Sequence, residues 1–197
     1  MKRSFTLAAL LLLVGFMSAQ PSTEASGQSG SEWTTLFDGS TLDGWNVLGD
    51  ASWTPVDGAV EGDGDAGFLV TAESYGDFQL TLEFWIGDDS NSGVYIRCSD
   101  PNDVRATNSY EVNIADTHDN PDSRSGSIVN VTGPAHAVTT AGKWNTFDIT
   151  ARGEELTVIL NGITTADVED GQYASGPIAL QHRAGIVRFR SIRIRQL

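Results

Sequence analysis

The residues best suited to chemistry lie in one short run, YEVNIAD, which spans residues 110–116. Glu111, Asn113 and Asp116 supply two carboxyl groups and an amide, and apolar residues alternate with the first two. Because side chains alternate between the two faces of a strand, Glu111 and Asn113 are predicted to face away from the core. The polar face of this strand either meets a substrate or is merely solvated.

Other predicted strands carry aromatic, charged and amide side chains on their outward faces. Together with the first strand they supply Glu83, Trp85, Tyr95, Arg97, Glu111, Asn113 and Gln181. Sugar rings stack their C–H faces on aromatic planes, and their hydroxyls need fixed donors and acceptors. The set therefore favours a carbohydrate-binding face. The alternative is that these residues pair across strands and only stabilise the sheet.

The elements that must position these residues are predicted to be strands. After residue 32, the segments with a two-residue period are 78–86, 93–98, 110–115, 145–151, 155–160, 163–168, 178–182 and 186–195. Asn161-Gly162 fits the positive φ angles of a tight hairpin turn. GDGDAG, residues 62–67, is predicted to be a turn, and no segment shows a ten-residue helical pattern. The sequence predicts an all-β fold, a two-sheet jelly-roll sandwich.

The first 31 residues are predicted to lie outside this domain. Residues 1–20 combine a basic start, an apolar run and small residues at Ser18 and Ala19. This pattern predicts a signal peptide, hence export to the periplasm or beyond, with no membrane insertion after cleavage. Residues 21–31 are small and polar, which predicts a flexible linker, and residues 32–197 form the remaining domain.

Charge and cysteine content narrow the function classes. The net charge is −14 at pH 7, and such a field disfavours nucleic acid and anionic membrane surfaces as partners. Cys98 is the single cysteine, so no intrachain disulfide forms. It continues the alternation of Val94 and Ile96, which predicts a buried thiol. Five arginines fall within residues 183–195, where their alternation favours the solvated faces of a strand over an anion-binding strip.

Six segments, in order along the chain, carry a family resemblance. They are WTTLFDGSTLDGWN (33–46), SYGDFQLTLEFWI (74–86), NSGVYIR (91–97), YEVNIAD (110–116), AGKWNTFDITARGEELTVILNG (141–162) and GPIALQHRAGIVRFRSIRIRQL (176–197). Together they resemble the 3-keto-disaccharide hydrolase family over nearly all of residues 33–197. The resemblance implies a concanavalin A-like lectin/glucanase sandwich. It also implies a carbohydrate substrate whose carbon 3 is a ketone.

The resemblance also assigns positions. Arg97 matches the arginine of the family's NSG-x-x-x-R pattern, Glu111 its YE glutamate, Asp116 the acid that ends that motif, and Gln181 its LQ glutamine. This chain departs from the family pattern at three places. Asn113 replaces a glutamine, Val129 a tyrosine, and Arg183 a histidine, while His182 comes one residue earlier than that histidine.

The chemistry implied by the resemblance is elimination. A ketone at carbon 3 acidifies the hydrogen on carbon 2, so a base can remove it, and the enolate then expels the group on carbon 1. Glu111 is the expected base, Arg97 or a metal the expected enolate stabiliser, and His118 or His182 the expected acid. The substrate-binding residues expected beside them are Glu83, Trp85, Tyr95, Asn113, Asp116, Gln181 and Arg183.

Three alternatives stay open at this stage. Asp116 and His118 could ligate a divalent cation; otherwise no cofactor is expected. Glu111-x-Asn113-x-x-Asp116 resembles the E-x-D-x-x-E signature of retaining glucanases, in which two carboxyl groups act as nucleophile and acid. Because a fold does not fix its function, a non-catalytic sugar-binding module is the third alternative.

Overall fold

The computed structural model describes residues 32–197, together with Met1, and the regular secondary structure of this range is almost entirely β-strand. The predicted linker and all of the predicted signal peptide except Met1 lie outside the described residues, so both stay predictions. The strands are β1 (Thr34–Phe37), β2 (Trp45–Val56), β3 (Ala59–Thr71), β4 (Phe78–Ile86), β5 (Asn91–Ile96), β6 (Tyr110–Ile114), β7 (Trp144–Arg152), β8 (Glu155–Leu160), β9 (Ile163–Glu169), β10 (Ala179–Ala184) and β11 (Val187–Gln196). One 3₁₀ turn covers Pro121–Ser123. None of the helices described is long and apolar enough to cross a membrane.

The strands form a curled antiparallel sheet in the order β6-β5-β10-β3-β11-β4-β7-β8-β9, with β2 on β3 and β1 on β11. The start of β11, residues 187–189, pairs with β3 on one side and with β4 on the other. The sheet therefore closes into two layers that share β11. This arrangement confirms the predicted all-β sandwich.

Apolar side chains that alternate with polar ones along the strands fill the space between the two layers. In β4, the five residues of one parity (Phe78, Leu80, Leu82, Phe84 and Ile86) are each at most 1% exposed. Full burial of such a side chain contributes roughly 1.5–3 kcal/mol. A one-residue slip would bring Gln79, Thr81 and Glu83 into the core in their place, so the apolar pattern fixes the register.

A second apolar cluster lies on the outward face of the layer that contains β3, β5 and β10. It consists of Val70, Tyr95, Cys98, Val104 and Ala179, with Leu48, Phe68 and Ala106 packed against it. Cys98 is buried, as predicted, but not with Val94 and Ile96, which lie in the core. The alternation ends at Arg97, whose φ of +53° is in the left-handed region that few non-glycine residues adopt.

Candidate functional site

A cavity of about 200 Å³ opens on the outward face of β5, β6 and β10. We call it the Glu111 cavity; it is lined by Asn91, Tyr95, Glu111, Asn113, His118, Ser123, Val129, Gln181 and Arg183. Strand register explains why side chains far apart in sequence meet here. Tyr95 pairs with Glu111, and Gly93 lies between Asn113 and Gln181 in one cross-strand row.

Gly93 lets the Glu111 side chain lie close to the sheet. A Cβ atom at this position would lie 3.2 Å from Oε1 and 3.3 Å from Cγ of Glu111, and 3.4 Å from the Tyr95 ring. These distances are tighter than ordinary side-chain contacts. The missing side chain therefore leaves room for the Glu111 side chain to lie against the strand at Gly93.

Glu111 is the buried acid of the cavity, with 9% of its surface exposed. Burial raises the pKa of this carboxyl above its ordinary value, while the Tyr95 hydroxyl and the charges of Arg183 and His118 act in the opposite direction. A carboxylate with a raised pKa holds a proton more strongly than an exposed glutamate does. Glu111 can therefore act as a general base near neutral pH.

Tyr95 and Gln181 form a fixed polar pair beside Glu111. The Gln181 Nε2 amide donates a hydrogen bond to the Tyr95 hydroxyl oxygen at 2.9 Å. Burial first, and then the charge of Glu111, raise the pKa of Tyr95, which keeps its hydroxyl protonated as a donor. The Gln181 Oε1 atom is buried and accepts no hydrogen bond from any described residue.

Arg183 and His118 bring positive charge and a proton carrier to the rim. The Arg183 side chain is exposed and makes no hydrogen bond or ion pair with another residue of the range 32–197. The His118 Nδ1 atom lies 3.2 Å from both the backbone nitrogen and the carbonyl oxygen of Asn120. Neutral His118 can accept from that nitrogen, and protonated His118 can donate to that oxygen. Both protonation states therefore have a backbone partner.

Arg97, predicted to stabilise an enolate, does not reach the cavity. Its fully buried guanidinium donates to the carbonyl oxygens of Gly76 at 2.9 Å and Gly153 at 2.7 Å. It also forms an ion pair with Asp77 at 2.9 Å. The prediction that Arg97 faces the same cleft as Glu111 is wrong, because the left-handed backbone at Arg97 breaks the alternation after Tyr95.

His182, the other predicted acid, is also directed away from the Glu111 cavity. Only 1% of its surface is exposed, and it points to the opposite side of β10 from Gln181. Its Nδ1 atom lies 2.9 Å from the Asp65 carbonyl oxygen, and its Nε2 atom lies 2.8 Å from that of Gly185. With both ring nitrogens engaged by backbone, His182 is not placed to protonate a substrate.

Glu83 and Trp85 lie on the outward face of the other layer. Glu83 forms an ion pair with Arg190 at 2.7 Å, and the Arg188 guanidinium lies 5.4 Å from the centre of the Trp85 ring. The prediction that they share a face with Glu111 is wrong. Outward residues of two layers that pack against each other point in opposite directions.

Asp116 and Asn113 hold the loop that borders the cavity. The Asp116 carboxylate accepts hydrogen bonds from the hydroxyls of Ser125 at 2.6 Å and Thr140 at 2.8 Å, and from two backbone amides at residues 140 and 141. Asn113 lines the cavity, but its amide donates to the Ser123 carbonyl oxygen and accepts from a backbone amide. Both side chains therefore brace the loop, and Asp116 is not free for a substrate.

The hydrogen bonds of Asp116 also bear on whether the expected divalent cation can bind. No three His, Cys, Asp or Glu side chains of the described part converge on a point that could hold an ion. Both Asp116 carboxylate oxygens already accept hydrogen bonds. The pair Asp116 and His118 therefore does not fit a divalent cation.

A second cavity of about 240 Å³ adjoins the first and shares Gln181 and Arg183 with it. We call it the Phe68 cavity; its other lining residues are Leu48, Gly49, Ala66, Gly67, Phe68, Asn102, Asp103, Val104 and His182. The sequence did not predict this cavity. It also did not predict Asn91, Ser123 and Val129 as lining residues of the first, although Val129 marked a departure from the family pattern. Asn91 shares the parity of Tyr95 and could have been found, whereas Ser123 and Val129 come from a loop without periodicity.

With this geometry established, the chain can be compared with known proteins. Residues 32–195 match the 3-keto-alpha-glucoside-1,2-lyase-like domain, and the chain belongs to this family. A 3-keto-disaccharide hydrolase of Bacteroides thetaiotaomicron is 28% identical over 117 residues, which are 48% of this chain and 40% of that protein. The match thus spans less than half the length of this relative.

Solved structures share the fold. A candidate glycosyl hydrolase from Parabacteroides distasonis superposes with a TM-score of 0.75 at 22% identity, over 84% of this chain and 94% of that one. The carbohydrate-binding module CBM66 of Bacillus subtilis superposes with a TM-score of 0.62 at 17% identity, over 78% of this chain and 96% of that one. At these identities the likeness shows the fold alone. Family membership and fold together define a carbohydrate-hydrolase-like domain.

Proposed function

We propose that this domain cleaves 3-keto-glycosides by removing the proton on carbon 2 and eliminating the group on carbon 1. The observation that carries the proposal is the buried Glu111 carboxylate, with its raised pKa, in the lining of the Glu111 cavity. Family membership supplies the substrate class. Glu111, Arg183 and His118 all line the Glu111 cavity, and they can serve there as base, cation and proton donor.

Glu111 acts as the base in the first step. Its carboxylate takes the hydrogen from carbon 2, and the electron pair of that C–H bond forms the enolate with the adjacent ketone. Positioned general bases contribute typically about 10²- to 10⁴-fold to the rate. The raised pKa of Glu111 brings the base closer in proton affinity to the carbon acid than an exposed glutamate would be.

Arg183 takes the role of enolate stabiliser that the sequence assigned to Arg97. It is the arginine that lines the Glu111 cavity, and its charge already lowers the pKa of Glu111. A fixed donor or charge at a developing oxyanion is worth roughly 10²- to 10³-fold in rate. Arg183 carries this charge without an ion-pair partner among the described residues, so it is available to a substrate oxygen.

His118 protonates the leaving oxygen in the second step. The enolate oxygen re-forms the carbonyl at carbon 3, and the electron pair between carbons 2 and 3 shifts to make a double bond between carbons 1 and 2. The C–O bond at carbon 1 breaks, and the leaving oxygen takes a proton from His118. The unsaturated keto-sugar then adds water, hydroxyl to carbon 1 and proton to carbon 2, which completes a net hydrolysis. Asn120 supports His118 before and after the transfer.

The retaining glycosidase is the weaker candidate. That mechanism needs two carboxyl groups, ~5–5.5 Å apart, that flank the bond to be broken. Asp116 is the second acid of the motif, but both its oxygens accept hydrogen bonds from the loop it holds. Glu111 is thus the one carboxyl group among the described residues that line its cavity.

A substrate comparison tests the proposal. The purified domain should cleave 3-keto-glucosides and leave the parent glucosides intact, and the unsaturated keto-sugar should be detectable by mass spectrometry. Equal cleavage of the unoxidised glucosides would reject elimination. Binding of both sugars with no cleavage of either would favour a non-catalytic module.

The remaining expectations need separate measurements. A chelator should leave the rate unchanged, because Asp116 and His118 do not fit a cation site. Export stays part of the proposal: N-terminal sequencing of protein from its native envelope should find a mature chain that begins near Gln20 or Pro21. Retention of Met1 to Ala19 would overturn the proposed export.

A further inference from the structure

A single cross-strand row connects the two cavities. Leu48, Phe68, Gln181, Gly93 and Asn113 are consecutive partners across β2, β3, β10, β5 and β6. Neighbouring strands are ~4.8 Å apart, so Phe68 lies about 10 Å from Gly93 along this row. A sugar seated in the Glu111 cavity therefore directs its carbon-1 substituent, in one of its two orientations, toward Phe68.

The Phe68 end of the row is apolar. The rings of Phe68 and Tyr95 are in edge-to-face contact, with centroids 5.3 Å apart. Leu48 and Phe68 are both partly exposed at the surface of the second apolar cluster, and Val104 is buried beside them. These side chains offer the cavity hydrocarbon surface and no hydrogen-bonding group.

Asp103, His182 and the Gln181 amide nitrogen of the Phe68 cavity already have partners. The Asn102 and Arg183 side chains have none among the described residues, but Arg183 also lines the Glu111 cavity, where it faces the keto-sugar. Asp103 forms an ion pair with Arg105 at 2.6 Å. Both ring nitrogens of His182 lie against carbonyl oxygens, and the Gln181 Nε2 amide donates to Tyr95. A second sugar placed here would lose water from its hydroxyls and gain few hydrogen bonds in return. An apolar group loses nothing of this kind.

We infer that the Phe68 cavity binds the leaving group, and that it selects 3-keto-glucosides whose aglycone is apolar, an alkyl or aryl group, over those whose aglycone is a second sugar. The placement of the sugar rests on the proposed function. The cavity volume of about 240 Å³ accommodates a group of several carbons.

A series of 3-keto-glucosides with ethyl, butyl and hexyl aglycones tests this inference. The three alcohols have nearly the same acidity, so differences in kcat/KM report binding of the aglycone and not its quality as a leaving group. Each methylene that the cavity buries should raise kcat/KM about fourfold until the cavity is full. The hexyl compound should also exceed a 3-keto-disaccharide.

Two variants in β2 sharpen the experiment. Leu48→Gln introduces an amide into the Phe68 cavity and should flatten the increase with chain length. Val47→Gln is the matched control, because Val47 directly precedes Leu48, does not line the cavity and is 54% exposed. This variant should keep the steep increase of the parent protein.

Failure of the inference can be separated from failure of the proposed function. If all 3-keto-glucosides were cleaved with kcat/KM values independent of chain length, the inference that the Phe68 cavity binds apolar aglycones would be wrong. The proposed elimination reaction would still be supported. Calorimetric titration with the unoxidised alkyl glucosides measures the cavity without any chemistry. Affinity that climbs with chain length while no 3-keto-glucoside is cleaved would support the cavity and reject the reaction. Affinity and rates that are both flat would overturn the inference.

Discussion

The two outward faces of the sandwich carry similar side chains but differ in how these are paired. On the β4–β11 face, Glu83 is held by Arg190, whose hydrogen bond lowers the pKa of this glutamate. Arg188 covers the Trp85 ring on the same face. On the β5–β10 face, burial raises the pKa of Glu111. The two glutamates are shifted in opposite directions.

The hydrogen-bond and ion-pair partners of a side chain, more than its residue type, therefore identify a functional site. A charge or an amide that is fully paired within the fold stabilises the sheet and has little left to offer a ligand. The buried Gln181 Oε1 atom has no partner among the described residues, and such a group typically costs about 1–3 kcal/mol. Such unpaired groups are uncommon in a fold, and this one belongs to a residue that lines the Glu111 cavity.

Arg97→Met gives the largest expected effect. The variant removes the charged donor of the Gly76 and Gly153 carbonyl oxygens and of the half-exposed Asp77 carboxylate. Hydrogen bonds to a charged group contribute about 1.5–3 kcal/mol each, so the free energy of unfolding should fall by about 3 kcal/mol. Urea denaturation measures this loss. Arg105→Met, which breaks an exposed ion pair, is the control and should change stability by less than about 1 kcal/mol. Unchanged stability with lost activity would return Arg97 to the site.

Arg183→Met should lower kcat/KM by roughly 10²- to 10³-fold, because the enolate loses its cation. The charge of Arg183 also lowers the pKa of Glu111. Removing that charge raises this pKa further, so the acid limb of the pH profile should move to higher pH. Arg190→Met removes an arginine from the opposite face and should move neither quantity. An unchanged pH profile in Arg183→Met would separate the two residues.

Glu111→Gln should stabilise the protein at neutral pH. Because burial raises the folded pKa, the folded state holds its proton more tightly than the unfolded state does, and stability falls as pH rises through the folded pKa. The glutamine variant avoids this penalty. Its gain in melting temperature should vanish below the ordinary glutamate pKa of about 4.3, where the parent carboxyl is protonated in both states. A variant less stable at pH 7 would contradict the raised pKa.

Glu83→Gln should have the smallest effect. Its ion pair with Arg190 is partly exposed, and pairs of this kind contribute about 0–1 kcal/mol. Thermal unfolding should therefore change little, and kcat/KM should equal that of the parent. A tenfold fall in kcat/KM would extend the functional site to the second face.

Much of the fold could be predicted because apolar alternation and turn chemistry are local. The strands β4 and β8 begin and end where the pattern put them, and Asn161 and Gly162 adopt the positive φ values, 52° and 80°, that a tight hairpin requires. The strands β1, β2 and β3 were missed. GDGDAG was predicted as a turn but lies inside β3, where pairing with β2 and β10 overrides weak strand propensity.

The site was predictable only within one layer. Alternation placed Tyr95, Glu111 and Gln181 on one face, and register then brought them together. Alternation does not say which layer a strand joins, so Glu83 was misplaced. Nor does it anticipate the left-handed residue at Arg97. These features depend on contacts between distant parts of the chain.

Removal of the proton on carbon 2 by Glu111 is the step on which the proposed reaction depends, and proton exchange measures this step directly. Cleavage of a 3-keto-glucoside in deuterated water should place deuterium on carbon 2 of the product, beyond the spontaneous exchange of the free keto-sugar. Glu111→Gln should slow this incorporation by about 10²- to 10⁴-fold, and Glu83→Gln should leave it unchanged. A product that keeps its original hydrogen on carbon 2, or a Glu111→Gln variant that exchanges as fast as the parent, would contradict the account.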